Sequence, residues 1–77
     1  MKSDIFEWFR KTVLKHGIDL NLEGLPAIAR YLGYSERNFY IKVKKINFDV
    51  WQLRDLCKKL HFTESEKLKL LLLFIIG

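Results

Sequence analysis

The stretch LPAIARYLGYSERNFYIKVKK, residues 25–45, decides the fold. Apolar side chains recur at Ile28, Ala29 and Leu32, and again at Phe39 and Val43, the spacing of one buried helical face on each side of a break. The break itself carries Gly33, which can take the positive φ that ends a helix, and Ser35, which can cap the next one. A small residue, Ala29, lets the second helix lie close to the first. Two short helices joined by a tight turn are therefore expected, roughly residues 25–32 and 36–44, in the pattern of a helix-turn-helix. Such a pair leaves the outer face of its second helix free to enter a DNA major groove.

Outward from this pair, the same signals predict three more helices. Ser3 can cap a first helix with Ile5, Phe6, Phe9 and Val13 along one face, Arg10, Lys11 and Lys15 outside, and Gly17 as its stop. Residues 18–24 read as a connector. Pro26 falls in the first turn of the second helix, where a missing amide hydrogen costs little. After a loop at residues 46–48, Asp49 and Gln52 form a capping-box pattern, opening a fourth helix with Val50, Leu53, Leu56, Cys57 and Leu60 inward. Thr63 and Glu66 repeat the signal for a last helix. That helix is amphipathic through Lys67 and Lys69 and then apolar from Leu70 to Ile76.

The chain is thus expected to be all-α, a compact five-helix bundle forming one domain over residues 1–77. At 77 residues it lies near the lower size at which a single core suffices without metal or disulfide. Its one cysteine, Cys57, reads as a small core residue and makes a reducing cytoplasm the natural compartment. The start of the chain interleaves charge with aromatic residues and has no signal-peptide core. Trp8 and Trp51 lie one step off the inward stripes, so partial burial is expected of both.

The net charge is +5, and its distribution matters more than its total. Arg30, Arg37, Lys42, Lys44 and Lys45 face a single acid, Glu36, within residues 30–45, whereas residues 1–29 carry four charges of each sign. A local basic surface is the electrostatic footprint of a phosphate-binding face. The remaining chemistry is thin. His16 and His61 have no further ligand at metal spacing, and no nucleophile triad, glycine-rich phosphate loop or carboxylate pair is present, so neither a metal, a cofactor nor catalysis is expected.

The apolar run of residues 68–77 poses a separate question. Successive helical residues point about 100° apart, so Leu70, Leu73, Phe74 and Ile76 and their neighbours cannot all meet one small core. The run is too short for a bilayer, which needs about 20 apolar residues, and no membrane role is expected. Association, most simply as a homodimer, is the expectation for Leu70, Leu73, Phe74 and Ile76. Burial within the monomer and strand pairing through residues 74–76 are the alternatives.

Residues 25–62 resemble the lambda-repressor/Cro-like family of phage and bacterial DNA-binding proteins. The resemblance lies in Ile28-Ala29, Leu32-Gly33-Tyr34-Ser35, Phe39, the exit Lys42-Val43-Lys44-Lys45, Phe48, and Leu53, Leu56 and Leu60 ending in His61-Phe62-Thr63. It implies that the helix after the turn reads base edges through Glu36, Arg37, Asn38, Tyr40 and Ile41. Arg37 would pair with guanine, Glu36 with cytosine N4, and Ile41 with a thymine methyl. Phosphate contacts would come from Ser35, Lys42, Lys44, Lys45 and Asn47. Three positions depart from the family pattern: Leu25-Pro26 where a phosphate-binding glutamine is frequent, Ile46 near a frequent glycine, and Glu36 with its negative charge at the groove.

The function implied is sequence-specific binding of double-stranded DNA by a dimeric transcriptional regulator. A second expectation keeps the same fold but gives it to an antirepressor or repressor modulator, whose partner is a phage repressor protein and whose apolar tail makes the contact.

Overall fold

A computed structural model describes the backbone of residues 2–76 and the side chains of residues 4–72. Every regular element among them is a helix: α1 Lys2–Asp19, α2 Gly24–Leu32, α3 Glu36–Lys45, α4 Val50–Lys59 and α5 Glu64–Ile76. α1 packs on both α2 and α3, which pack on each other. Side chains of α4 and α5 close the remaining side of one core. The Cα radius of gyration is 11.6 Å, close to the roughly 11.5 Å expected of a compact chain this long.

The first four helices end by the same device. In each, a residue just past the last helical turn is left-handed, and its own N–H and that of the next residue fold back onto carbonyls of that turn, a Schellman motif. At the end of α2, Gly33 has φ 87°, its N–H donates to Arg30 O at 3.2 Å, and the Tyr34 N–H donates to Ala29 O at 2.9 Å. Asn21, Ile46 and His61 take the same role with φ of 61°, 51° and 60°. Only one of the four is glycine. For Ile46 the left-handed conformation costs about 1–2 kcal/mol, offset in part by packing of its half-buried side chain against the core.

The N-terminal signals act where the sequence places them. Ser35 Oγ accepts from the Asn38 N–H at 3.3 Å, and Asp49 and Gln52 complete a reciprocal box at 2.8 and 3.1 Å. Thr63 and Glu66 form a second box, at 3.2 and 2.8 Å. The backbone of α1 is already helical at Lys2, so Ser3 falls inside the helix rather than before it, and its side chain lies outside the described residues.

Gly17 is not the stop of α1 either; the helix continues to Asp19. A Cβ at Gly17 would lie 2.9 Å from Ile28 Cγ1 and 3.3 Å from the Leu22 carbonyl oxygen. The glycine is therefore a point of close approach, where α2 settles onto α1. Helix propensity alone predicts that Gly17→Ala stabilises the chain by about 1 kcal/mol. Ile28 is fully buried and has nowhere to go, so we expect a net loss of about 1–3 kcal/mol instead. A thermal midpoint that rises in Gly17→Ala contradicts this packing.

The core is aromatic at its centre. Phe9 of α1 meets Phe48 at 6.0 Å and Phe62 at 6.3 Å between ring centroids, and Phe48 in turn meets Phe39 at 6.2 Å. Tyr34 leans on Phe39 at 5.6 Å. Phe48 and Phe62 come from the loops on either side of α4, so those loops are pinned by what they bury. His16 is buried too, stacked on Phe62 at 4.8 Å with Nε2 2.7 Å from Glu66 Oε1, which joins α1 to α5. Burial pushes the Glu66 carboxyl up, but hydrogen bonds from the Thr63 N–H and from His16 outweigh it and hold it below its ordinary value.

Some side chains expected inward are not. Val50 is 62% exposed and Trp51 73%, the latter with the Arg54 guanidinium 5.9 Å from its ring; Phe6 is also exposed. Both tryptophans had equal periodicity, yet Trp8 is half-buried, with Lys69 Nζ 4.4 Å above its ring. In α5, Leu70 is 2% exposed and belongs to the monomer core, so it offers nothing to a partner. Among the described residues of α5, Leu68, Leu71 and Leu72 are exposed. The side chains of Leu73, Phe74 and Ile76 lie outside the described residues. The backbone is helical through Ile76, so residues 74–76 form no strand.

Candidate nucleic-acid interface

α3 is held by one face and bare on the other. Phe39 and Val43 are fully buried and fix the rotation of the helix about its axis. At about 100° per residue, the opposite face carries Arg37, Ile41 and Lys44, with Tyr40 on one flank and Asn38 and Lys45 on the other. All six are exposed. Tyr40 and Ile41 present apolar surface, 55% and 44% exposed, between cations at either end of the helix.

The three-residue turn Gly33-Tyr34-Ser35 sets the angle between α2 and α3. Tyr34 anchors it by packing between Phe39 and Phe48, at 5.6 and 6.0 Å. Ala29, fully buried, keeps the α2 side narrow. The turn is therefore fixed by side chains from α2, from α3 and from the loop that follows α3.

The acid at the mouth of α3 is partnered. Glu36 Oε1 pairs with the Arg30 guanidinium across the turn, so α2 neutralises the negative charge that begins α3. Both side chains are more than half exposed, and such a pair is worth only about 0.2–1 kcal/mol. Glu36 can exchange it for another partner at small cost. Sequence counting includes Arg30 in the basic excess but cannot show where it points, since the pair spans the turn rather than one helical face.

Lys42 differs from the other cations assigned to phosphate. It is half-buried, its Nζ donates to the Asn47 carbonyl at 3.3 Å, and it lies 5.8 Å from the Phe48 ring centroid. It serves the end of α3. Lys44 and Lys45 are exposed. Ser35 and Asn47 are exposed at opposite ends of α3, Ser35 already engaged through Oγ as the cap.

Other chemistry is sparse. Among the described residues, no three His, Cys, Asp or Glu side chains come together as a metal ion needs, and no helix is long and apolar enough to cross a membrane. Burial pushes the Cys57 thiol up to about 11, so it stays protonated and acts as a small apolar group. No known protein family, curated protein or solved structure matches the chain.

Proposed function

We propose that this chain is a sequence-specific DNA-binding transcriptional regulator in which α2, the turn and α3 act as a helix-turn-helix. The observation that supports it is the bare face of α3, where Arg37, Tyr40, Ile41 and Lys44 stand outward while Phe39 and Val43 hold the helix from behind. Laid in a major groove, Arg37 pairs bidentately with guanine, Ile41 covers a thymine methyl, and Glu36 leaves Arg30 to accept from cytosine N4. Asn38 and Tyr40 flank these contacts. Ser35, Lys44, Lys45 and Asn47 sit at the ends of the helix, suited to phosphates that fix its register. Lys42 is the weakest member of that set, because it must first release the Asn47 carbonyl.

One module reads few base pairs, so two copies on a two-fold symmetric operator supply the affinity a regulator needs. Leu68 and Leu72, exposed on α5, support association through residues 68–77. Action is by occlusion or recruitment at a promoter in the cytoplasm, with no catalytic step. An antirepressor on the same fold is favoured by Glu36 and by Leu25-Pro26 in place of a phosphate-binding glutamine and opposed by the lysine cluster; the pairing of Glu36 with Arg30 weakens the first of these grounds.

The deciding experiment is binding to a random duplex library at two salt concentrations, with the solution mass measured by light scattering. Binding that tightens at low salt and selects a base-pair pattern is expected. Arg37→Ala costs about 1–3 kcal/mol on the best site and relaxes preference mainly at one base pair. If the selected pattern is unchanged in Arg37→Ala, that residue does not read bases. If the parent chain binds no duplex at low salt, the proposal fails.

A further inference from the structure

A second surface lies away from α3. An open groove of about 760 Å³ is lined by residues of α4, of α5 and of the loop between them. Its floor is apolar, made by Leu53, Cys57, Phe62 and Leu70, with Val50 and Leu71 at the lips. Its rim is basic: Arg54 and Lys58 stand on α4, Lys67 on α5, and His61 in the loop between them. Among the described residues no aspartate or glutamate lines it, although α4 carries Asp55 and α5 carries Glu64 and Glu66.

The shape narrows the occupant. The α4 residues lining the groove, Val50, Leu53, Arg54, Cys57 and Lys58, follow the i, i+3, i+4, i+7, i+8 pattern of one helical stripe. That stripe is about 12 Å long at 1.5 Å per residue. An amphipathic helix with apolar anchors at i, i+3 or i+4, and i+7 spans about the same distance. A small molecule would need fixed polar groups to orient it, yet no buried side-chain nitrogen or oxygen among the described residues lacks a partner. A membrane surface favours a convex apolar face, whereas this one is recessed between two helices.

Charge selects among helical partners. A second copy docking here by two-fold symmetry would bring one rim of Arg54, Lys58 and Lys67 against another, and like charges across an interface are costly. An acidic partner meets complementary charge. Lys67 pairs with Glu64 at 3.4 Å on the exposed surface, a pair weak enough to be exchanged. We propose that the groove between α4 and α5 binds an amphipathic helix of another protein, one with an apolar stripe flanked by aspartate or glutamate. The site is independent of the α3 face, since no α3 residue lines it.

The test uses the full chain and two labelled helical peptides about four turns long. Both carry leucine at i, i+4 and i+7; one has glutamate beside them and the other lysine. Fluorescence anisotropy should show that the acidic peptide binds at least about ten-fold more tightly than the basic one, with affinity falling as salt rises. The double variant Arg54→Glu with Lys58→Glu should lose about ten-fold or more in acidic-peptide affinity. Its circular dichroism should be unchanged and its duplex DNA binding should fall far less than its acidic-peptide binding, which separates failure of this site from failure of the α3 reading. Equal binding of the two peptides overturns the proposal, as does undiminished acidic-peptide binding by the double variant. No binding of the acidic peptide up to about millimolar concentration also overturns it. Chain bound to anionic phospholipid vesicles and not displaced by the acidic peptide assigns the surface to a membrane instead. A homodimer that excludes the peptide assigns it to a second copy.

Discussion

Phe39→Ala is expected to lose about 3–5 kcal/mol of stability, the range for truncating a fully buried aromatic ring. Stabilities of whole domains run from about 5 to 15 kcal/mol, and a chain of 77 residues belongs near the lower end. The substitution therefore removes most of what holds the chain together. Phe39 is fully buried, and its ring contacts both Tyr34, which anchors the turn before α3, and Phe48, which follows the helix. Its loss frees both ends of α3 at once. Tyr40→Ala, one residue along, should change stability by only about 0.5 kcal/mol in either direction, because that side chain faces outward. Urea denaturation followed by far-UV circular dichroism compares the two. A Phe39→Ala loss below about 1 kcal/mol would show that α3 is anchored by something other than this ring.

That contrast between adjacent residues was legible in the sequence, because it depends on local spacing. Gly33, Ser35, Asp49, Gln52, Thr63 and Glu66 act within three or four residues of themselves, so the break between α2 and α3 and the starts of α4 and α5 follow from the chain alone. Gly17 shows where this ends. A glycine near the end of a periodic stretch reads as a helix stop, but its role is to admit Ile28 from another helix, and the left-handed stop falls instead at Asn21.

Val50 and Trp51 fail for a related reason. Periodicity says which residues share a stripe of α4 but not where the neighbouring helices stop covering it, and Val50 lies where that cover is missing, at the groove between α4 and α5. The groove was illegible for the same cause, since its basic rim is assembled from Arg54, Lys58 and Lys67 on two helices. At the candidate DNA face, the exposure of Arg37, Ile41 and Lys44 could be inferred by opposition to Phe39 and Val43. The capture of Glu36 by Arg30 could not, because it depends on the angle of the turn.

Reversing two charges at the exit of α3 should have the largest effect on DNA binding. Each phosphate contact enters the binding constant as salt concentration to a power of about −0.9, so at 0.1 M salt one contact is worth about eight-fold and two about sixty-fold. Under the proposed geometry, Lys44→Glu with Lys45→Glu removes two phosphate contacts and places like charge against the phosphates. We therefore expect a loss beyond about one hundred-fold, with the slope of affinity against salt shallower by about two. Both lysines are exposed, on the side of α3 away from Phe39 and Val43, so the helical content should stay the same. A change in net charge alone weakens binding to any polyanion, and the control must remove that effect. Arg54→Glu with Lys58→Glu alters the net charge equally but sits on the α4–α5 groove. Its duplex affinity should fall far less. Equal losses in the two variants would mean that DNA responds to the overall charge of the chain, and α3 would no longer be the surface that enters the groove.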